Sequence, residues 1–278
     1  MKHLHLLGST LGPVAIVWTL QHPVQAQQPQ TNQPPATARA SAPFDPTGQW
    51  VSIITNNWRT RMVPPPRSDY ADIPLNDAGR KVADAWDPVK DEAARAECKY
   101  YGAASIMFQP TRLRVTWQDD QTLRIDTDAG TQTRLFRFAN ATAAGTATAT
   151  APTGARTYQG TSVASWESRR AAAGGGGGGG GRGGGVAPNP AARYLKVTTT
   201  NMLPGYLRKN GVPYGERASL IEYFDVFREP DGTTMMIVTI AVTDPEFLNG
   251  QYAVIAHFKK ESAADAAKWE PSPCSARW

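Results

Sequence analysis

The carboxylates of this chain have the widest choice of chemistry. Asp126 and Asp128 stand two positions apart at the end of a strand-like segment, so an extended backbone carries both on one face. Such a pair can hydrolyse a glycoside, with retention when the carboxyls are about 5 Å apart and with inversion when they are farther. The competing structural reading gives Asp128 to the turn that follows and Asp126 to an ion pair with Arg124 or Arg134. Glu222 alternates with Leu220, Phe224 and Val226. If that face is interior, Glu222 is a buried charge that needs a partner, and Arg134 and Arg137 are the nearest strand arginines.

The chain has four histidines, of which His3, His5 and His22 precede an expected cleavage site and His257 follows it. A single histidine excludes His-pair zinc motifs such as H-E-x-x-H, so no metal is expected. A Ser-His-Asp triad would have to use His257, which shares a strand face with Ala253 and Ile255, and no G-x-S-x-G elbow accompanies it. The Gly174–Gly181 run lacks the Lys and hydroxyl of a phosphate loop, so no cofactor is implied. The acid/base candidates are therefore Glu222, Asp126 and His257, and the reading leans away from an enzyme.

Binding chemistry concentrates in Asn201–Tyr214, a Pro- and Gly-containing loop with Tyr206, Arg208, Lys209 and Tyr214. As a lid it would present cations and phenols to an anionic or aromatic ligand, and Arg134 completes the candidate ligand-contacting set. The bland alternative is a solvated loop.

The elements that must position these residues are mostly strands. Ala218–Arg228 and Thr233–Thr243 are rich in β-branched and aromatic residues and are joined through Pro230-Asp231-Gly232, which reads as a hairpin. Asp244-Pro245 stops the second strand, and Tyr252–Lys260 returns as a third. Upstream, Gly48–Thr55 is a strand, Asn76 and Asp87 cap two short helices, and Arg112–Trp117, Thr122–Thr127 and Gln132–Phe138 form a meander. Tyr158–Glu167 and Tyr194–Thr200 are further strands. Roughly eight to ten strands in hairpin-like succession predict an all-β fold with two early helices, an antiparallel barrel or alternatively a sandwich. Apolar residues on both faces of several strands favour the barrel.

Lys2, an apolar run to Leu20 and the small-residue site Val24-Gln25-Ala26 read as a secretory signal peptide over 1–26, with no lipobox cysteine. The mature protein is expected in the periplasm or outside the cell, without a transmembrane segment. Residues 27–43 read as a disordered linker and 44–278 as one domain, interrupted by low-complexity insertions at 139–155 and 171–185. The two cysteines, Cys98 and Cys274, read as one disulfide in an oxidising compartment. The formal charge is +5, but basic and acidic residues alternate without a Lys/Arg run, which argues against nucleic acid as a partner.

Gly48-Gln49-Trp50 on the first strand is similar to the Gly-x-Trp that opens lipocalin and related calycin barrels. That resemblance implies a basic residue from the last strand, Lys259 or Lys260, packed over the tryptophan. Gly160–Glu167, Leu195–Thr199, Gly211–Tyr214, Glu222–Phe224 and Thr243–Pro245, in that order, resemble a group of uncharacterised secreted bacterial proteins. The resemblance implies fold and secretion alone. Together these features lead us to expect a barrel that binds a small, largely apolar or aromatic ligand. The alternatives are a carboxylate hydrolase or isomerase and an envelope interaction module with a filled core.

Overall fold

A computed structural model of the chain describes residues 37–138, 154–168 and 193–277. The expected signal peptide, the linker up to residue 36, the 171–185 insertion and most of the 139–155 insertion lie outside the described residues. In chain order the elements are β1 (Gly48–Ile53), α1 (Trp58–Met62), α2 (Asp77–Asp84), α3 (Pro88–Ala93) and α4 (Ala103–Ile106). The meander β2 (Arg112–Asp119), β3 (Thr122–Thr127) and β4 (Thr133–Phe138) follows, then β5 (Thr161–Ser168) and β6 (Arg193–Thr200). A short hairpin, β7 (Gly205–Arg208) and β8 (Val212–Tyr214), precedes β9 (Ser219–Arg228), β10 (Thr234–Thr243) and β11 (Tyr252–Lys260).

Nine strands close into a barrel in the order β1-β11-β10-β9-β6-β5-β4-β3-β2, and β2 returns to β1. Strand period does the rest. Along β9, Leu220, Glu222 and Phe224 are buried while Ile221, Tyr223 and Asp225 are half-buried on the outer wall. Phe136, Val197, Val238 and Phe258 face the same lumen from other strands, each wholly buried. The hairpin-like succession expected for almost all the strands is broken at one step. β4 and β5 pair in parallel, so the chain leaves β4 at one end of the barrel and enters β5 at the other.

Both ends are covered. At the lower end, where β1 starts, the segment Thr37–Ser41 turns under the barrel and Ala38 joins the core. The ordered body, expected from Phe44, thus includes the last part of the expected linker. The Ala38 carbonyl accepts from the Trp166 indole at 2.8 Å, and the Phe44 and Trp166 rings meet edge to face. At the upper end the helices and the β7–β8 hairpin form a lid-like layer. Asn76 caps α2 by accepting from the Gly79 amide at 2.9 Å, and Asp87 caps α3 with Pro88 in the first turn, as their sequence positions predict.

The opening tripeptide has a physical role at the lower end. Lys260 lies over the Trp50 ring with its ammonium 5.5 Å from the centroid, and the indole N–H donates to the Pro46 carbonyl at 3.0 Å. Gly48 has φ of 119°, and a Cβ there would stand 2.8 Å from the Lys260 Cε. The glycine leaves room for the lysine stem to reach the tryptophan two residues on. Cys98 and Cys274 form a disulfide across a separation of 176 residues, tying the tail to the segment before β2.

Candidate functional site

Among the described residues the lumen contains one ion pair. Arg134 on β4 donates to both Glu222 oxygens on β9, Nη1 to Oε1 at 2.8 Å and Nη2 to Oε2 at 2.5 Å, with both side chains fully buried. The Arg134 Nη2 also reaches the Thr199 hydroxyl at 3.4 Å, and Thr199 and Ser162 share a hydrogen bond at 2.8 Å. Thus the partner that a buried Glu222 requires is Arg134, not Arg137. Both carboxylate oxygens are spent on the guanidinium, which leaves neither aimed at a substrate.

The other acid/base candidates are also engaged. Asp126 takes a two-point contact from Arg124, at 2.8 Å from both Nε and Nη2, and a further bond from Thr133. Asp128 accepts from the Arg112 and Ala129 amides at 2.7 Å and from the Thr111 hydroxyl at 2.8 Å, so it anchors the turn after β3. His257 lies on the outer wall of β11 with Nδ1 2.7 Å from the Thr55 hydroxyl. Burial, helped by the nearby Arg61 charge, lowers its pKa below the usual 6.5. No Ser-His-Asp geometry forms around it among the described residues.

The Asn201–Tyr214 segment is a buried hairpin and not an open lid. Its polar side chains turn inward to neighbours. The Tyr206 hydroxyl donates to the Asp91 carboxylate at 2.7 Å, where the Trp86 indole and the Lys99 ammonium also donate, at 3.0 and 2.6 Å. Burial and this carboxylate push the Tyr206 pKa upward. Arg208 is 4% exposed and donates to the Asp69 and Ala71 carbonyls, 3.2 and 2.8 Å away. Burial lowers the Lys209 pKa. Tyr214 is wholly buried with its pKa raised by desolvation, and its hydroxyl has no partner among the described residues. The hairpin closes because Gly102 and Gly205 leave space beside that hydroxyl.

Two features escaped the sequence reading. Arg61 on α1 is completely buried, donating from Nε to the Phe108 carbonyl at 2.7 Å and from Nη1 to Asn56 at 3.0 Å. Burial brings its pKa down to about 10. Nothing in a five-residue helix with two arginines signals which one is interior.

The second feature is a hollow of about 410 Å3 on the outer wall at the upper rim, within the roughly 300–1,000 Å3 range of small-molecule sites. Its floor is the outward face of three neighbouring strands: Thr161 and Val163 on β5, Thr198 and Thr200 on β6, and Ser219 at the start of β9. Thr161 stands opposite Thr200 and Val163 opposite Thr198, so the threonines form a patch and not a line. Two arginines border it. Arg156 is held by the Met202 and Glu216 carbonyls, at 3.1 and 2.8 Å, with its Nε 3.8 Å from the Glu216 carboxylate. Arg217 is exposed and has no ion pair among the described residues. The signal for this hollow was present as the alternating threonines of β6, which read only as a strand.

No protein-family model, no curated protein and no solved structure matches the chain.

Proposed function

We propose that this β-barrel protein is a non-enzymatic binding module of the secreted compartment, whose ligand sits on the outer wall of the barrel. The hollow over β5, β6 and β9 takes a small, hydroxyl-rich anion of the sugar-acid class. One observation carries the reading: Thr and Ser residues from three adjacent strands line one hollow beside a guanidinium, Arg217, that has no ion pair among the described residues, while Arg156 is already balanced by Glu216. Hydroxyls exchange hydrogen bonds with a sugar, and the free cation selects its carboxylate. The disulfide and the lack of a long apolar helix among the described residues support the compartment.

The barrel interior supports the expectation of an apolar ligand less well. Large side chains and the Arg134–Glu222 pair fill it, and layers cover both ends. The expectation of carboxylate catalysis has its three candidates in internal bonds.

Titration of the protein with glucuronate, observed by two-dimensional NMR, tests the proposal. Shifts should cluster at Thr161, Thr198, Thr200 and Ser219, glucose should bind more weakly, and Arg217→Ala should remove the preference without changing the melting temperature. Equal shifts with glucose and glucuronate, or shifts unaffected by Arg217→Ala, would refute it.

A further inference from the structure

The same wall carries a second hollow of about 260 Å3, lined by Tyr194, Tyr223, Asp225 and Thr239 on β6, β9 and β10. We infer that the two hollows are subsites of one groove for an acidic polysaccharide chain, an inference that rests on the reading of the first hollow. The register gives the geometry. Tyr194 and Thr198 both point outward from β6, four positions apart, and Thr200 is two positions farther. At the rise of a strand this separates the hollows by roughly 13–20 Å, more than a single sugar spans.

The wall between them is polar and organised. Lys196 lies opposite Tyr223 in the ladder and pairs with Glu167 at 3.3 Å, and the Tyr194 hydroxyl donates to the other Glu167 oxygen at 3.2 Å. The Tyr194 and Tyr223 rings meet edge to face with centroids 5.5 Å apart. The half-buried rings offer an apolar face to the C–H side of a sugar, while the neighbouring polar groups meet its hydroxyls.

Other extended partners fit worse. An extended peptide binds a barrel wall poorly, because closure leaves the sheet no free edge to which a strand could add. A nucleic acid would bring a phosphate at each unit against Glu167, Glu216 and Asp225. Sugar hydroxyls can donate to those carboxylates, and a sparser acidic group can reach Arg217.

Calorimetric titration of the intact chain with glucuronate and with hyaluronan oligosaccharides of two to six sugars, which carry one carboxylate per two sugars, tests this. The association constant should rise at least about tenfold between the monomer and the tetramer. Tyr223→Ala should abolish the rise and leave the monomer affinity unchanged. Affinity that stays flat with length, or a hexamer bound equally by Tyr223→Ala, overturns the groove while the single-sugar site stands. Loss of binding by every length, the monomer included, overturns the single-sugar site and the groove with it. Tighter binding of an oligothymidylate of matched length than of the hexamer assigns the wall to nucleic acid and also overturns it.

Discussion

Replacing Glu222 by Gln should be among the most damaging conservative changes in this protein. The substitution keeps the shape and removes the charge that balances Arg134, which is fully buried in the lumen. Breaking a buried pair at one partner costs about 3–5 kcal/mol, because the survivor is an uncompensated charge away from water. The glutamine oxygen still accepts one bond, so the lower end, about 3 kcal/mol, is expected. At about 2–4 °C per kcal/mol for a domain of this size, the melting temperature falls by about 6–12 °C. The companion variant, Arg134→Met with Glu222→Leu, removes both charges and keeps the volume. It should recover most of the loss, since Thr199 and Ser162 retain each other. Urea unfolding of wild type, Arg134→Met, Glu222→Leu and the double, with Glu222→Gln alongside, followed by tryptophan emission, closes the cycle. A single-variant cost below about 1 kcal/mol, or a double variant as unstable as the sum of the singles, would refute the argument that pairing offsets desolvation here.

Reduction of Cys98–Cys274 should destabilise the fold by up to about 5 kcal/mol in the chain-entropy model, given the 176-residue separation, and unfolding midpoints with and without reductant measure it. His257 sets a pH dependence with a defined sign. Its folded pKa lies below 6.5, so the unfolded chain takes up the proton first as pH falls. Stability is complete above 6.5 and declines below it until the folded pKa is passed, and His257→Gln should flatten that slope in melting curves. Gly211→Ala should cost about 1–3 kcal/mol, since φ is +81° there and the new methyl would collide with the Trp86 ring. Thermal unfolding that matches wild type would contradict the close packing of the hairpin on Trp86.

Much of the scaffold was legible in local pattern. The hairpin of β9 and β10 shows in two runs around Pro230-Asp231-Gly232, and Tyr252–Lys260 coincides with β11. Asn76 and Asp87 mark helix starts because a cap is a contact within three residues. What failed was non-local. The parallel pairing of β4 and β5 depends on which end of the barrel the chain enters, and strand composition holds no record of that. The Asn201–Tyr214 segment reads as loop because Pro204, Gly205, Gly211 and Pro213 punctuate it, yet tertiary contacts with Asp91, Asp69 and Trp86 fold it into a buried hairpin. Glu222 was traceable because an acid on an apolar strand face demands a cation. The outer-wall hollow was not, since threonine serves a strand and a binding site with the same pattern.

The pairing of β1 with β11 has a consequence for how such a chain can be made. A chain that emerges N-terminus first releases its opening strand about two hundred residues before the partner of that strand exists, and Cys98 similarly waits for Cys274. Neither the seam nor the covalent clasp can form on a partial chain. Folding is therefore an event of the completed polypeptide, slowed by its long-range contacts. Until then β2, β3 and β4 can meander alone, with one apolar face open to whatever holds unfinished chains in solution.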